Sequence, residues 1–215
     1  MSHARRLDKA STYFFSTALV LSKLQYIPNA MATFVLKLSS LSLYLIGYAL
    51  WFSASLLRGD HKRHNPNWYG FAQHKIQASF ASITGFIATG LSIAAAFVPV
   101  LFPPAAWLYV VSNIIWTIAE YHKLNNPPKD TEHFSYSRQR AYLSYTITIT
   151  TMSVVTAVAA TLILVFPPIA IPATIISVII SIGLGILAFE YWMDSTHGDH
   201  KETLVSGSYY EMTES

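Results

Sequence analysis

The sequence predicts an all-α, polytopic membrane protein whose six transmembrane helices form three hairpins, each with proline at its tip. Three observations predict this fold. Only 12% of the 215 residues are charged, about half the share found in a typical soluble domain. Residues 76–119 and 141–189 contain no Asp, Glu, Lys or Arg, and each run can cross a ~30 Å hydrocarbon core twice at roughly 20 residues a crossing. Prolines interrupt both runs where the chain would have to reverse.

The first helix is predicted over about residues 11–27. A basic start followed by an apolar run is also typical of signal peptides, but no small-x-small cleavage site follows this one. Ile27-Pro28-Asn29 is typical of a turn. Lys23 then falls near the far end of the helix, where we expect its side chain to snorkel towards the headgroups.

The other helices follow from the charge-free runs and from the breaks between them. Phe102-Pro103-Pro104 ends the third helix and Phe166-Pro167-Pro168 ends the fifth, while polar loops separate the hairpins. Residues 194–215 form an acidic tail that we expect to be flexible and cytosolic. The predicted helices of the membrane domain, residues 1–193, cover about 11–27, 31–57, 77–101, 105–121, 141–165 and 169–193.

The hairpins also resemble one another, which suggests tandem duplication. Phe102-Pro103-Pro104 aligns with Phe166-Pro167-Pro168, and Glu120-Tyr121 resembles Glu190-Tyr191. We therefore predict three repeated hairpins. The alternative is that apolar hairpins with proline tips look alike by chance.

Basic residues predict the orientation, because cytosolic loops of membrane proteins carry an excess of Lys and Arg. Loops 58–75 and 122–140 each carry more basic than acidic residues, and the two later proline tips carry no charge. Both loops and the tail are therefore predicted to face the cytosol. With six helices, the cytosolic side also receives Arg5, Arg6 and Lys9. With five helices, which is the alternative, these three residues would lie on the opposite side of the membrane.

Glu120 and Glu190 are candidate functional carboxylates at the cytosolic ends of helices four and six. A carboxylate at a helix C-terminus opposes the helix dipole, so each should need a partner. One hypothesis is a proton or cation site at the mouth of a pathway. The sequence favours the other hypothesis, a structural ion pair between neighbouring hairpins. Candidate basic partners are Lys75, His122, Arg138 and Arg140.

Two histidine pairs form a candidate metal site. His61 and His64 are three residues apart, as are His197 and His200, and this spacing suits two ligands on one helical turn. Solvated loop histidines give the same pattern and are the preferred interpretation. No cofactor is expected, and the absence of cysteine excludes disulfides and thiolate metal sites.

The apolar runs offer hydroxyl groups but no catalytic motif. We find no Gly-x-Ser-x-Gly, His-Glu-x-x-His or phosphate loop, so the chain is predicted not to be an enzyme. Ser and Thr in helices three and five suit close helix packing and, alternatively, a narrow polar path. No charged residue is expected at mid-membrane depth, which counts against ion-coupled transport.

The C-terminal tail differs from the loops in being acidic and rich in Ser and Thr. Its acidic residues are Asp194, Asp199, Glu202, Glu211 and Glu214. Such a C-terminus resembles the uncleaved translocation signals of effectors that bacterial type IV systems secrete. The resemblance is one of composition over roughly the last 20 residues, and it implies an effector that ends up in a host membrane.

Three functions remain open from the sequence. The first is a non-enzymatic integral membrane protein that organises or shapes a membrane, or docks partners through its cytosolic loops and tail. The second is an oligomeric channel or small-solute transporter with a Ser- and Thr-rich path, and the third is a metal-handling protein. Expected partners are the lipid bilayer, a second copy of the chain and a cytosolic protein, and no motif points to nucleic acid.

Overall fold

The structure, a computed structural model, describes residues 3–24, 29–57, 74–125 and 134–200. This part of the chain is an all-α bundle of six helices, which confirms the predicted fold class. Two single turns of 3-10 helix, Pro99–Leu101 and Pro167–Ile169, precede the fourth and sixth helices. The helices are α1 (His3–Leu24), α2 (Ala30–Leu57), α3 (His74–Ala95), α4 (Phe102–Asn125), α5 (Tyr136–Val165) and α6 (Ala170–His197).

Five segments of the described chain are long and apolar enough to cross a bilayer, as expected of a multi-pass membrane protein. They are Met31–Leu57, Ile76–Ala95, Pro99–Asn125, Tyr136–Val165 and Pro167–His197. The first helix is not among them: it begins at His3 rather than near residue 11, and it includes Asp8, Lys9 and Lys23. It stays a prediction that the first helix makes a sixth crossing. The side of the membrane on which the loops and the tail lie also stays a prediction.

Several helices run past the ends of their apolar runs. α5 begins at Tyr136, five residues before the predicted start, because the hydroxyl of Ser135 caps it by accepting a hydrogen bond from the Arg138 N–H at 3.4 Å. The last helix continues to His197. Charged residues can extend a membrane helix into water, and hydropathy alone does not mark those helix ends.

The two proline corners share one backbone conformation. Val98 has φ −127° and ψ 85°, and Phe166 has φ −128° and ψ 74°. Pro99 and Pro167 follow them as the first residues of the 3-10 turns. By backbone conformation, Val98 therefore corresponds to Phe166. The sequence alignment instead pairs Phe102 with Phe166, so the two alignments differ by four residues. Tandem duplication stays a prediction.

The helices pack in a closed ring, each against its neighbour in sequence, with α1 also touching α6. The ring of Tyr13 on α1 meets that of Trp192 on α6 edge-on at 6.4 Å between centroids. α1 turns one face inward, because its buried residues Ala4, Ser11 and Ala18 recur every seven positions. This arrangement leaves a space in the middle of the ring.

Candidate functional site

A cavity of ≈ 270 Å³ lies inside the ring of helices. Its walls come mainly from α1, α2, α4 and α5, with Ser92 from α3 and Ser181 from α6. Phe102 and Trp116 of α4 both line it, and the fourteen residues from one to the other span roughly 20 Å of helix. An apolar cavity of ~150 Å³ holds benzene, so this space has room for a small organic molecule.

Aromatic rings from four helices form the wall of the cavity near the C-termini of α2 and α4. The rings of Phe15 and Tyr48 lie 4.8 Å apart between centroids, in an edge-to-face arrangement. The ring of Trp116 lies 5.8 Å from that of Trp51 and 5.6 Å from that of Tyr145, both edge-on. Such pairs hold one another in orientation. We call these five residues the aromatic wall.

Helix α3 supports the rings from behind. A Cβ atom at Gly85 would come within 2.1 Å of the Tyr48 ring. The ring can therefore occupy this position only because residue 85 is glycine. The Tyr109 hydroxyl donates to Thr89 Oγ1 at 2.7 Å, and Thr89 in turn donates to the Gly85 carbonyl at 2.8 Å. These contacts fix α2 and α4 against α3.

Lys23 brings an ammonium group into the middle of the bundle. Its Nζ donates to the Met152 sulfur at 3.2 Å, and Met152 lies half-way along α5. The Lys23 side chain also passes Gly185, half-way along α6, where an added Cβ would come within 3.0 Å of Lys23 Cε. Lys23 lies in the last turn of α1, as expected, but this end of α1 lies beside the middle of α5 and α6. Its depth in a bilayer stays a prediction.

The charge of Lys23 has little to balance it. An ammonium group has three donors, and a thioether is a weak acceptor. Within the described residues, Met152 is the one hydrogen-bond acceptor that Lys23 has. Burial disfavours the charged form of an ammonium group that has so few partners.

Charged groups also line the two ends of the cavity. Lys37 of α2 lies with its Nζ 5.9 Å from the centroid of the Phe102 ring, a cation–π contact beside the proline corner at 99–101. Asp8 of α1 lines the opposite end. Asp8 and Lys23 are separated by fifteen residues, roughly 22 Å along the helix, which is too far for an ion pair.

The hydroxyls of α5 mostly bond within their own helix. Thr148, Thr151 and Thr156 each donate to the carbonyl four residues earlier, at 2.8 to 2.9 Å. Others join helices, as Thr150 does with Thr117 at 2.8 Å between their Oγ1 atoms. Of the Ser and Thr residues of α5, Ser153 and Thr156 line the cavity. Most of these Ser and Thr hydroxyls therefore have an acceptor within their own helix.

Glu120 and Glu190 lie in different surroundings. Glu120 is buried, and its Oε2 accepts from Gln139 Nε2 at 2.8 Å and lies 3.4 Å from Lys123 Nζ. This network joins α4 to α5. Glu190 is exposed on α6. Arg138, a predicted partner, instead donates from Nε to the Ser195 carbonyl at 2.7 Å. Neither glutamate lines the cavity, and the mouth site stays a prediction.

The predicted metal ligands fall partly outside the described residues, as His61 and His64 do. His197 is exposed at the end of α6. The Nε2 of His200 lies 2.8 Å from the Asp194 carbonyl oxygen and 3.5 Å from its Oδ1. Among the described residues no three His, Cys, Asp or Glu side chains come together as metal ligands. The four-histidine site stays a prediction.

The sequence analysis missed the aromatic cavity. A signal was present, because Tyr44, Tyr48 and Trp51 recur at spacings of four and three, and Tyr142 and Tyr145 at three. Such spacing puts rings on one face of a helix. Phenol and indole groups within a charge-free run indicate a face turned towards polar partners rather than lipid.

No protein family, curated protein or solved structure matches this chain. Its function must therefore be inferred from the bundle itself. The bundle offers a small cavity between its helices, lined by a half-buried lysine, an aromatic wall and a few hydroxyl groups.

Proposed function

We propose that the chain is a non-enzymatic multi-pass membrane protein that binds a small solute inside its bundle and carries it across the bilayer. The cavity of ≈ 270 Å³ is the observation that carries this proposal. Its lining combines apolar and aromatic surface with a few polar groups, the combination that ligand pockets use for affinity and orientation. A space between bundle helices is also a usual place for such a site.

This function corresponds to the small-solute transporter that the sequence left open as an alternative. The proposed solute path differs from the Ser- and Thr-rich path through helices three and five. The path runs between α1, α2, α4 and α5, along the aromatic wall, because these four helices supply most of the residues that line the cavity. Membrane shaping and partner docking depend on the predicted loops 58–75 and 122–140 and on the tail 194–215, much of which lies outside the described residues. Those functions and the effector resemblance stay predictions.

Helix α1 is the proposed moving element. It packs closely along α2, whereas its contact with α6 is small. It also contributes seven of the lining residues while being the least apolar helix. Movement of α1 away from α6 would widen the gap between these two helices and change access to the cavity, as a transport cycle requires.

Solute entry into proteoliposomes tests the proposal. Labelled glycerol, benzoate and choline supply neutral, anionic and cationic solutes, and protein-free vesicles give the baseline. We expect at least one of them to enter faster with protein. Ser153→Phe should slow that entry, because residue 153 lines the cavity. Val154→Phe is the matched control, since Val154 is exposed on the outside. Baseline entry of all three solutes would contradict the proposal.

A further inference from the structure

We infer that the cavity takes a small organic anion, a carboxylate with an apolar body, whose carboxylate Lys23 holds. This inference rests on the proposed function and names the chemical class of the solute. It is carried by the position of the Lys23 ammonium in the cavity and by the side chains around it.

The first argument is the missing counter-ion. Lys23 is half-buried, and an ammonium group withdrawn from water is costly unless it is paired and hydrogen-bonded. The Met152 sulfur, 3.2 Å from Nζ, offers one weak acceptor for three N–H donors. A carboxylate in the cavity would supply both the missing negative charge and strong acceptors, in a charge-assisted hydrogen bond.

The second argument is that the chain's own carboxylates are elsewhere in the described part. Asp8 lines the other end of the cavity. Glu120 is bonded to Gln139 and lies near Lys123. Glu190 and Asp194 are exposed on α6, Asp199 is exposed just beyond it, and none of the three lines the cavity. The anion that balances Lys23 is therefore expected to come from a solute.

The third argument is the surface beside Lys23. Tyr145, Ile149 and Met152 line the cavity from one face of α5, and Leu19 and Leu41 line it from α1 and α2. This surface suits a ring or a short alkyl chain. A volume of ≈ 270 Å³ is less than twice the ~150 Å³ that holds benzene. The volume therefore suits a body of the size of a single ring or a short chain.

Calorimetric titration of the full-length protein in detergent tests this inference with benzoate and its neutral isostere benzamide. We expect wild-type protein to bind benzoate on the order of tenfold or more tightly than benzamide, as an added charged hydrogen bond allows. Lys23→Met should remove that preference. Lys23→Arg should keep much of it, because the positive charge remains. Lys9→Met is the matched control on the exposed part of α1 and should bind like wild type.

The outcomes separate this inference from the function on which it rests. Equal binding of benzoate and benzamide by wild-type protein would overturn the anion assignment while leaving a solute-binding cavity in place. A benzoate preference that survives Lys23→Met would overturn the role of Lys23. Absence of binding by both ligands, with baseline entry of glycerol and choline into proteoliposomes, would overturn the inference and the proposed function together. The wild-type comparison stands even where a variant fails to fold.

Discussion

The Nζ atom of Lys23 on α1 lies 3.2 Å from the Sδ atom of Met152 on α5. The contact puts an ammonium group half-way along a helix that is apolar enough to cross a bilayer. Ionisable groups at such positions are costly in membrane proteins and usually belong to a solute or ion path. The contact between Lys23 and Met152 also joins residues 129 positions apart, so it holds the first helix against the rest of the bundle.

The space beside Gly185 should control the position of Lys23. Gly185→Leu is expected to push the Lys23 chain aside, because even a Cβ at this position would lie 3.0 Å from Lys23 Cε. We expect benzoate affinity to fall on the order of tenfold, as for the loss of a charged hydrogen bond. Gly183→Leu, on the same helix with nothing within 4 Å of an added Cβ, should change little. Equal affinities for the two variants in calorimetric titration would contradict this role.

Gly85 should be required for the aromatic wall. Gly85→Ala would place a Cβ within 2.1 Å of the Tyr48 ring, which must then move. We expect a loss of about 1–3 kcal/mol in the free energy of unfolding, typical of overpacking. Gly90→Ala, with nothing within 4 Å of its Cβ, is the control and should be neutral or stabilising. Melting temperatures in detergent measure both, and a Gly85→Ala protein that melts with wild type would count against the packing described.

The buried network at Glu120 should contribute to stability. Gln139→Leu removes the amide that donates to Glu120 Oε2 at 2.8 Å and leaves a buried carboxylate with one bond fewer. We expect the free energy of unfolding to fall by roughly 1–3 kcal/mol. Glu190→Gln changes an exposed residue and should stay within about 0.5 kcal/mol. Thermal unfolding checks the pair, and equal melting temperatures would show that the Gln139 contact adds nothing.

Intrinsic fluorescence should report solute binding through the aromatic wall. Trp51 and Trp116 line the cavity, whereas Trp107 is exposed on the outer face of α4. We expect benzoate to change the emission of wild-type protein. Trp116→Phe should reduce the change, because it removes an indole fluorophore from the wall, and Trp107→Phe should preserve it. A signal that depends on Trp107 instead would place the ligand outside the bundle.

The fold could be predicted from the sequence, because long charge-free runs broken by proline leave few alternatives to helical hairpins. The ends of the helices could not, since the caps and polar extensions of α1 and α5 carry no apolar signal. The position of Lys23 depends on where α1 ends relative to the middle of α5 and α6. Sequence periodicity does not specify this axial position. The first proline corner also differs from its prediction, because Pro99 rather than Pro103 begins the turn.

Thiol modification of single cysteines in membranes is the measurement that tests the central claim most directly, because the chain has no native cysteine. The reagent is a small, anionic, water-soluble methanethiosulfonate. Ser153→Cys should be modified, and benzoate should protect it, because residue 153 lines the cavity. Val154→Cys should stay unmodified, since residue 154 is exposed on the outside of the bundle, which we expect lipid to cover. Modification at both positions, or no modification at residue 153, would contradict a solute-accessible cavity inside the bundle.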